Sequence, residues 1–391
     1  MKLAHLRLIA GLALLVQPLL AQRITPPLLP DVATSGLYRL TNAFPLVTFE
    51  RGIVGFSVPP GRTNELYYYD RPGRVWVITN FAAPTRSLFL DLTDINRPTG
   101  DGGMVGMTFH PNHAQNRYFY AYFAPTNFSN GKMYNRLSRF ESDPSNPLRA
   151  LRNSEQILFD IEDESSILHN GGDLHFGADG YLYVSMGDEG GQGDQFENGQ
   201  RIDKDLYSSI LRLDVDGRPG SLEPNPHDSL RGNYRIPPDN PYIGATSFNG
   251  QPVSPNAVRT EFWAVGFRSP HRMTIDSLTG EIYLGDVGGD RAEEVDRVVR
   301  GGNYGWAYYE ANLRNPERPS LPPGVNFIPP LHSYGRTGLN PEFEGRASIG
   351  GLVYRGTRYP ELYGKYIFGD YISKHIWAIT FQASGGYTID R

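Results

Sequence analysis

Ile167–Asp188 reads ILHNGGDLHFGADGYLYVSMGD, and the fold can be argued outward from its second half. Ala178-Asp179-Gly180 is a turn triplet between two runs of alternating apolar residues, the pattern of a β-hairpin. The first half sets the functional question, because His169 and the pair Gly171-Gly172 stand directly before the first strand.

The same form recurs along the chain: a glycine-containing lead, an apolar strand, a turn, and a second strand rich in Tyr, Val and Ile. It is present in VGMTFHPNHAQNRYFYAYF, in GFRSPHRMTIDSLTGEIYLGDVG with its own triplet Leu278-Thr279-Gly280, and in IGGLVYRGTRYPELYGKYIFGDY. FSVPPGRTNELYYYDRPGRVWVITN is a more degenerate copy. Further strands follow some hairpins, as in SILRLDVDG and HIWAITF. A four-stranded unit repeated about every 50 to 90 residues is the signature of an all-β propeller. The cues fall near residues 53, 106, 172, 266 and 350.

Composition agrees with this class. The 391 residues include 44 Gly and 31 Pro, which suit many strands joined by tight turns. A net charge of -5 offers no general basic field, so nucleic acid is not an expected partner. With no cysteine there is no disulfide framework and no thiolate metal site. Residues 1–21 place Lys2 and Arg7 before an apolar run that breaks at Pro18 and ends in Ala21, a secretory signal pattern. This predicts a periplasmic or secreted protein with no transmembrane span in the mature chain. Residues 22–48 form a Pro-rich lead-in, expected to run as an extended tether, and the propeller is expected over 49–391.

In a propeller the loops leading into successive blades converge on one face, so residues before each inner strand become neighbours. His169 is then a candidate base, or a loop cap bonding a carbonyl. Gly171 and Gly172 would let a flat ligand approach. GFRSPHR puts Arg268 and His271 on the same face; Arg268 offers a planar fork for a carboxylate or developing oxyanion, or an interblade salt bridge. In GDVGGDRAEEVDRV, Gly288-Gly289 opens a turn flanked by Asp286, Asp290, Glu293 and Glu294. That is either a hard-oxygen site for Ca²⁺ or a plain acidic turn. GDEGGQGDQFENGQ lacks the strand-to-helix context of a dinucleotide loop, and DVDGRPG fails the full calcium-loop pattern. Hydrolase and phosphotransferase motifs are absent.

The blocks GMVGMTFHPNHAQNRYFYAYF, HNGGDLHFGADGYLYVSMGDEGG, FWAVGFRSPHRMTID, GEIYLGDVGGDRAEEVDRVVRGGNYGW and YGKYIFGDYISKHIWAI resemble the glucose/sorbosone dehydrogenase family. That family includes soluble pyrroloquinoline-quinone (PQQ) sugar dehydrogenases and non-enzymatic hedgehog-interacting-protein-like proteins. The resemblance implies a six-bladed β-propeller with PQQ over the channel and Ca²⁺ beneath its carbonyl and carboxylate groups. It places His169 as general base and Arg268 as the group polarising the quinone carbonyl. Gly288 and Gly289 would be the main-chain Ca²⁺ ligands, and Lys374 a partner of the cofactor's carboxylates. Ser269 stands where many members have Asn, and Leu168 where glucose-oxidising members have Asp, so glucose is not the expected substrate. The function implied is oxidation of an aldose or related sugar, with electrons passed to a cytochrome or quinone. The alternative is a binding module without cofactor; a calcium-dependent lactone hydrolase lacks its ring of acidic ligands. Five cues leave a ring of six one blade short, so either the N-terminal segment supplies strands, or the sequence lacks its natural C-terminal end and the last blade is truncated.

Overall fold

The computed structural model describes residues 38–391 apart from 97, 128–131, 164–167, 319, 323–324, 339 and 384, together with the short strand His5–Leu6. Residues 1–4 and 7–37, which hold most of the expected signal peptide and lead-in, lie outside the described residues. No helix among the described residues is long and apolar enough to cross a membrane.

Each sequence cue becomes one blade of a β-propeller. Blade 1 is Ile53–Ser57, Glu65–Asp70, Arg74–Thr79 and Thr85–Asp91; blade 2 is Met104–Phe109, Tyr118–Phe123, Lys132–Ser142 and Ala150–Asp163. Blade 3 is Gly171–Phe176, Leu182–Met186, Ser209–Leu213 and Phe262–Val265; blade 4 is Pro270–Ile275, Ile282–Asp286, Ala292–Val298 and His332–Gly335. Blade 5 is Ser348–Val353, Tyr366–Asp370, Ile376–Phe381 and Tyr387–Asp390. The expected count of six is thus corrected: the described residues form five blades, one for each of the five cues. Nor is the last blade truncated, for it has all four antiparallel strands.

Interblade packing is apolar. Tyr67 and Val75 of blade 1 share a buried cluster with Met104 and Met107 of blade 2. Tyr122 and Leu174 share one between blades 2 and 3, Ile210 and Met273 between 3 and 4, and Val295 and Phe368 between 4 and 5. Such burial is the main stabilising term for a sheet whose two faces are both covered. The inner strands pack in series from blade 1 to blade 5. Packing also begins before Phe49. Tyr38 and Leu40 lie against Tyr359, Leu362 and Ile367 of blade 5, while Phe44 and Val47 are buried on Leu66 and Tyr68 of blade 1. The described part of the lead-in therefore bridges the two ends of the series instead of running as a tether.

All five inner strands break register at their second or third residue, a bulge at the end nearest the loops that lead into the blades. The third residue is Gly55, Gly106 and Gly350 in blades 1, 2 and 5, but Asp173 and Arg272 in blades 3 and 4. At Gly106 a Cβ would sit 1.9 Å from the Gly172 carbonyl oxygen, so only glycine allows that approach. Arg272 instead reaches across the channel. Its Nη1 donates to the Val105 carbonyl at 2.9 Å and to Asp173 Oδ1 at 3.3 Å, and its Nη2 to the Val54 carbonyl at 2.8 Å. One guanidinium thus joins blades 1 to 4.

Burial pushes the Asp173 carboxyl up, but His175, Arg272 and the Met273 N–H outweigh it and hold it at about 2. Stability from this group is complete above its ordinary value of 3.8 and is lost as pH falls through about 2. Denaturation measured at stepped pH should therefore show about 2 kcal/mol more acid loss in the wild type than in Asp173→Asn. Equal acid slopes would contradict this. Arg272→Met, which leaves Asp173 buried without its guanidinium, should cost about 3–5 kcal/mol in the same assay.

Candidate active site

The loops leading into blades 3, 4 and 5 and the ends of their second strands share one face. Second strands end in Asp188's loop, in Asp286 and in Asp370. In blade 4 the Asp286 carboxylate accepts the N–H groups of Arg268 at 2.9 Å and Ser269 at 2.6 Å. In blade 5 Asp370 accepts those of Arg346 at 2.8 Å and Ala347 at 2.7 Å. The aspartate thus caps the loop before its own inner strand in both blades.

Blade 3 departs from this. His169 sits at φ +55, and its N–H goes to Asp101 Oδ2 at 3.2 Å. Asp188 is thereby left to accept His169 Nδ1–H at 2.7 Å and the indole N–H of Trp306 at 2.7 Å. It also takes the Gly190 N–H at 2.9 Å. A carboxylate holding Nδ1–H fixes the tautomer in which Nε2 carries a lone pair. Among the described residues Nε2 has no hydrogen-bond partner, and it is the atom left for a ligand.

Arg268 is joined to the same assembly. Its Cζ lies 5.5 Å from the centre of the Trp306 ring, its carbonyl accepts the Asp188 N–H at 2.8 Å, and its Nη1 donates to the Val287 carbonyl at 3.0 Å. Gly187 lies between the two predicted residues: a Cβ there would fall 1.6 Å from the His169 carbonyl oxygen and 3.1 Å from that of Arg268. Any side chain at 187 would force the histidine and arginine loops apart.

The other predicted residues separate into three groups. Ser269 is buried beside Arg268, and its carbonyl accepts the Val287 N–H at 3.1 Å. Lys374 is exposed in the turn after Asp370 in blade 5, at the same end of the molecule. Gly171 and Gly172 open the inner strand of blade 3, but a Cβ on Gly172 would meet Tyr122 and Val105, and one on Gly171 the Ser185 carbonyl. Their lack of side chains is thus already required by strand and blade packing. His271 lies next to Arg272, where burial and that neighbour lower it to about 4 and keep it neutral.

Gly288 and Gly289 do not offer free oxygens. The Arg336 guanidinium donates Nη1 to the Gly289 carbonyl, Nη2 to the Gly288 carbonyl at 3.4 Å, and Nε to Glu293 Oε1 at 2.7 Å. The nearby carboxylates are also engaged. Asp286 holds the Arg268 and Ser269 amides, Glu293 pairs with Arg336, and Glu294 accepts the Ala311 N–H at 2.8 Å. Asp290 is exposed. The described residues contain no group of three or more His, Cys, Asp or Glu that could hold a metal. The expected Ca²⁺ site therefore does not fit this arrangement. A planar, carboxylate-bearing ligand does fit the rest, since Arg268 and a hydrogen-bonding His169 are joined through Asp188 and the Trp306 ring, with Lys374 at the same end of the molecule.

Asp188, Trp306 and Arg336 were missed by sequence reasoning. Asp188 carried a signal, because Gly-Asp ends the second strands of blades 4 and 5 and recurs in SMGD. Trp306 stands in NYGW, a block that carried the resemblance but no assigned role. Arg336 lies outside every motif.

Comparison with known proteins accords with this picture. The glucose/sorbosone dehydrogenase family model matches residues 62–389. HIPL1 protein of Arabidopsis thaliana is 32% identical over 333 residues, covering 75% of this chain and 46% of that protein. The human Hedgehog-interacting protein is 25% identical over 325 residues, covering 79% and 39%. The chain thus spans about half or less of the length of these relatives. The PQQ-bound aldose sugar dehydrogenase of Streptomyces coelicolor superposes with a TM-score of 0.59 at 19% identity, covering 88% of this chain and 81% of that one. The propeller fold is shared, and the chain belongs to the glucose/sorbosone dehydrogenase family.

Proposed function

We propose that the protein oxidises an aldose or related sugar with PQQ as cofactor, using His169 as base and Arg268 as the charge that stabilises the reduced acceptor. The observation that carries this reading is the Asp188–His169 pair, which leaves Nε2 unpartnered on the face that also holds Arg268. Bound PQQ would supply a two-electron acceptor for the hydride leaving the substrate carbon. His169 Nε2 takes the proton of the hydroxyl on that carbon, and Asp188 stabilises the imidazolium so formed. Arg268, fixed by the Val287 carbonyl and the Trp306 face, presents positive charge where negative charge develops. Lys374 and Ser269 are the further contacts proposed for the cofactor. Electrons then pass to an acceptor such as a cytochrome or quinone, in the periplasm or outside the cell, after export directed by residues 1–21.

A second reading is a binding module that keeps the propeller without the chemistry. The likeness to HIPL1 and to the Hedgehog-interacting protein favours it. Reconstitution with PQQ followed by a dye-reduction screen over aldoses separates the two. Turnover with any aldose supports oxidation, whereas a folded protein that binds no quinone supports the binding module.

Two substitutions test the roles. His169→Ala should lower turnover by about 10²- to 10⁴-fold while leaving quinone affinity nearly unchanged. Near wild-type dye reduction would return His169 to a loop cap. Asp188→Asn should lower turnover over a similar range of about 10²- to 10⁴-fold. The Trp306 N–H would hold the amide oxygen, so the amide NH₂ would face the imidazole and put its proton on Nε2. Activity retained in Asp188→Asn would mean that the tautomer is set elsewhere.

A further inference from the structure

We infer that the guanidinium of Arg336 takes the place of a divalent cation at the Gly288–Gly289 carbonyl pair, so that this site needs and binds no Ca²⁺. Arg336 leaves the outer strand of blade 4 at Gly335 and turns back over the end of the second strand. Besides the two glycine carbonyls and Glu293, its Nη2 reaches the Arg346 carbonyl at 2.7 Å. The two glycine carbonyls, the Glu293 carboxylate and the Arg346 carbonyl are thus all engaged by this one guanidinium, and the neighbouring Glu310 Oε1 accepts the Arg291 and Ala292 N–H groups at 2.8 and 3.1 Å.

The electrostatics point the same way. Glu293 is fully buried, and its carboxylate accepts from Arg336, from the Ser348 N–H at 2.7 Å and from the Gly288 N–H at 3.3 Å. The pair Arg336–Glu293 is neutral as it stands. Ca²⁺ demands six to eight oxygens at about 2.3–2.6 Å. Here it would meet two carbonyls that each already accept from Arg336, the Glu293 carboxylate paired with the same side chain, and a positive charge at close range.

The preceding carbonyl extends the pattern. Val287 accepts from Arg268, Gly288 and Gly289 from Arg336, so three consecutive carbonyls anchor two guanidinium groups. A permanent, directional charge that no chelator removes thereby stands where the family would carry a metal. This inference does not depend on the proposed oxidation, since metal binding can be read without turnover.

The test is calcium titration of the wild type and of Arg336→Ala, followed by backbone amide resonances of residues 287–290, by calorimetry and by melting. In the wild type those amides should stay in place, and melting should be the same in Ca²⁺ and in chelator. Arg336→Ala frees two carbonyls and the Glu293 carboxylate. It should take up one more Ca²⁺ than the wild type and gain about 4 °C in melting temperature at roughly 100 times its Kd. Calcium-induced shifts of these amides in the wild type would overturn the inference, and that arm does not depend on the variant folding. A folded Arg336→Ala that takes up no additional Ca²⁺ would also overturn it.

Discussion

A single charge pair across the channel, Arg272 to Asp173, sets the frame in which the other contacts become possible. Five inner strands meet at a narrow axis, and three of them keep glycine at the bulge because a neighbouring backbone or ring lies too close for a Cβ. The other two place opposite charges there. Arg272 then satisfies the Val54 and Val105 carbonyls, which the bulges free from ladder pairing. A half-buried guanidinium of this kind contributes register more than net energy, since its desolvation offsets much of its attraction. What it fixes is the relative position of blades 1 to 4, and with it the distance between the loops that lead into them.

On that frame the same residue type performs two tasks. Asp286 and Asp370 end second strands and cap the amides of the loop before their own blade's inner strand, an economical use of a buried carboxylate. Asp188 occupies the same place in blade 3 and is turned to His169 and Trp306 instead. The left-handed backbone at His169 goes with this change: its amide is taken by Asp101, so the strand-end aspartate is not needed there. A structural repeat has been diverted at one blade, and that blade carries the candidate base. Gly187, wedged between the His169 and Arg268 carbonyls, keeps the histidine and arginine loops in contact.

The blades were legible in sequence because a hairpin is a local object, written in alternation and in turn triplets such as Ala178-Asp179-Gly180. Gly180 and Gly280 do adopt the left-handed conformation those turns require, at φ +77 and +74. Blade number was not legible, since it depends on how the ends of the series meet, and the packing of residues 38–49 on blades 1 and 5 has no periodic signature. For the site, His169 and Arg268 could be placed by the loops that carry them. Their supports could not: Asp188 is 19 residues from His169, Trp306 is 118 from Asp188, and Arg336 is 47 from Gly289. Arg336 could not be foreseen beside the calcium expectation for that last reason. Glycine carbonyls beside acids read as a cation site, and the cation that occupies them is a side chain from another strand.

Everything proposed for this site turns on Asp188 holding the Nδ1–H of His169 and leaving Nε2 as the basic nitrogen. Nitrogen-15 spectra of the imidazole, assigned to His169 in the neutral form, test it most directly. A protonated Nδ1 with its hydrogen-bonded proton far downfield and an unprotonated Nε2 are expected. A neutral ring carrying its proton on Nε2 would contradict it.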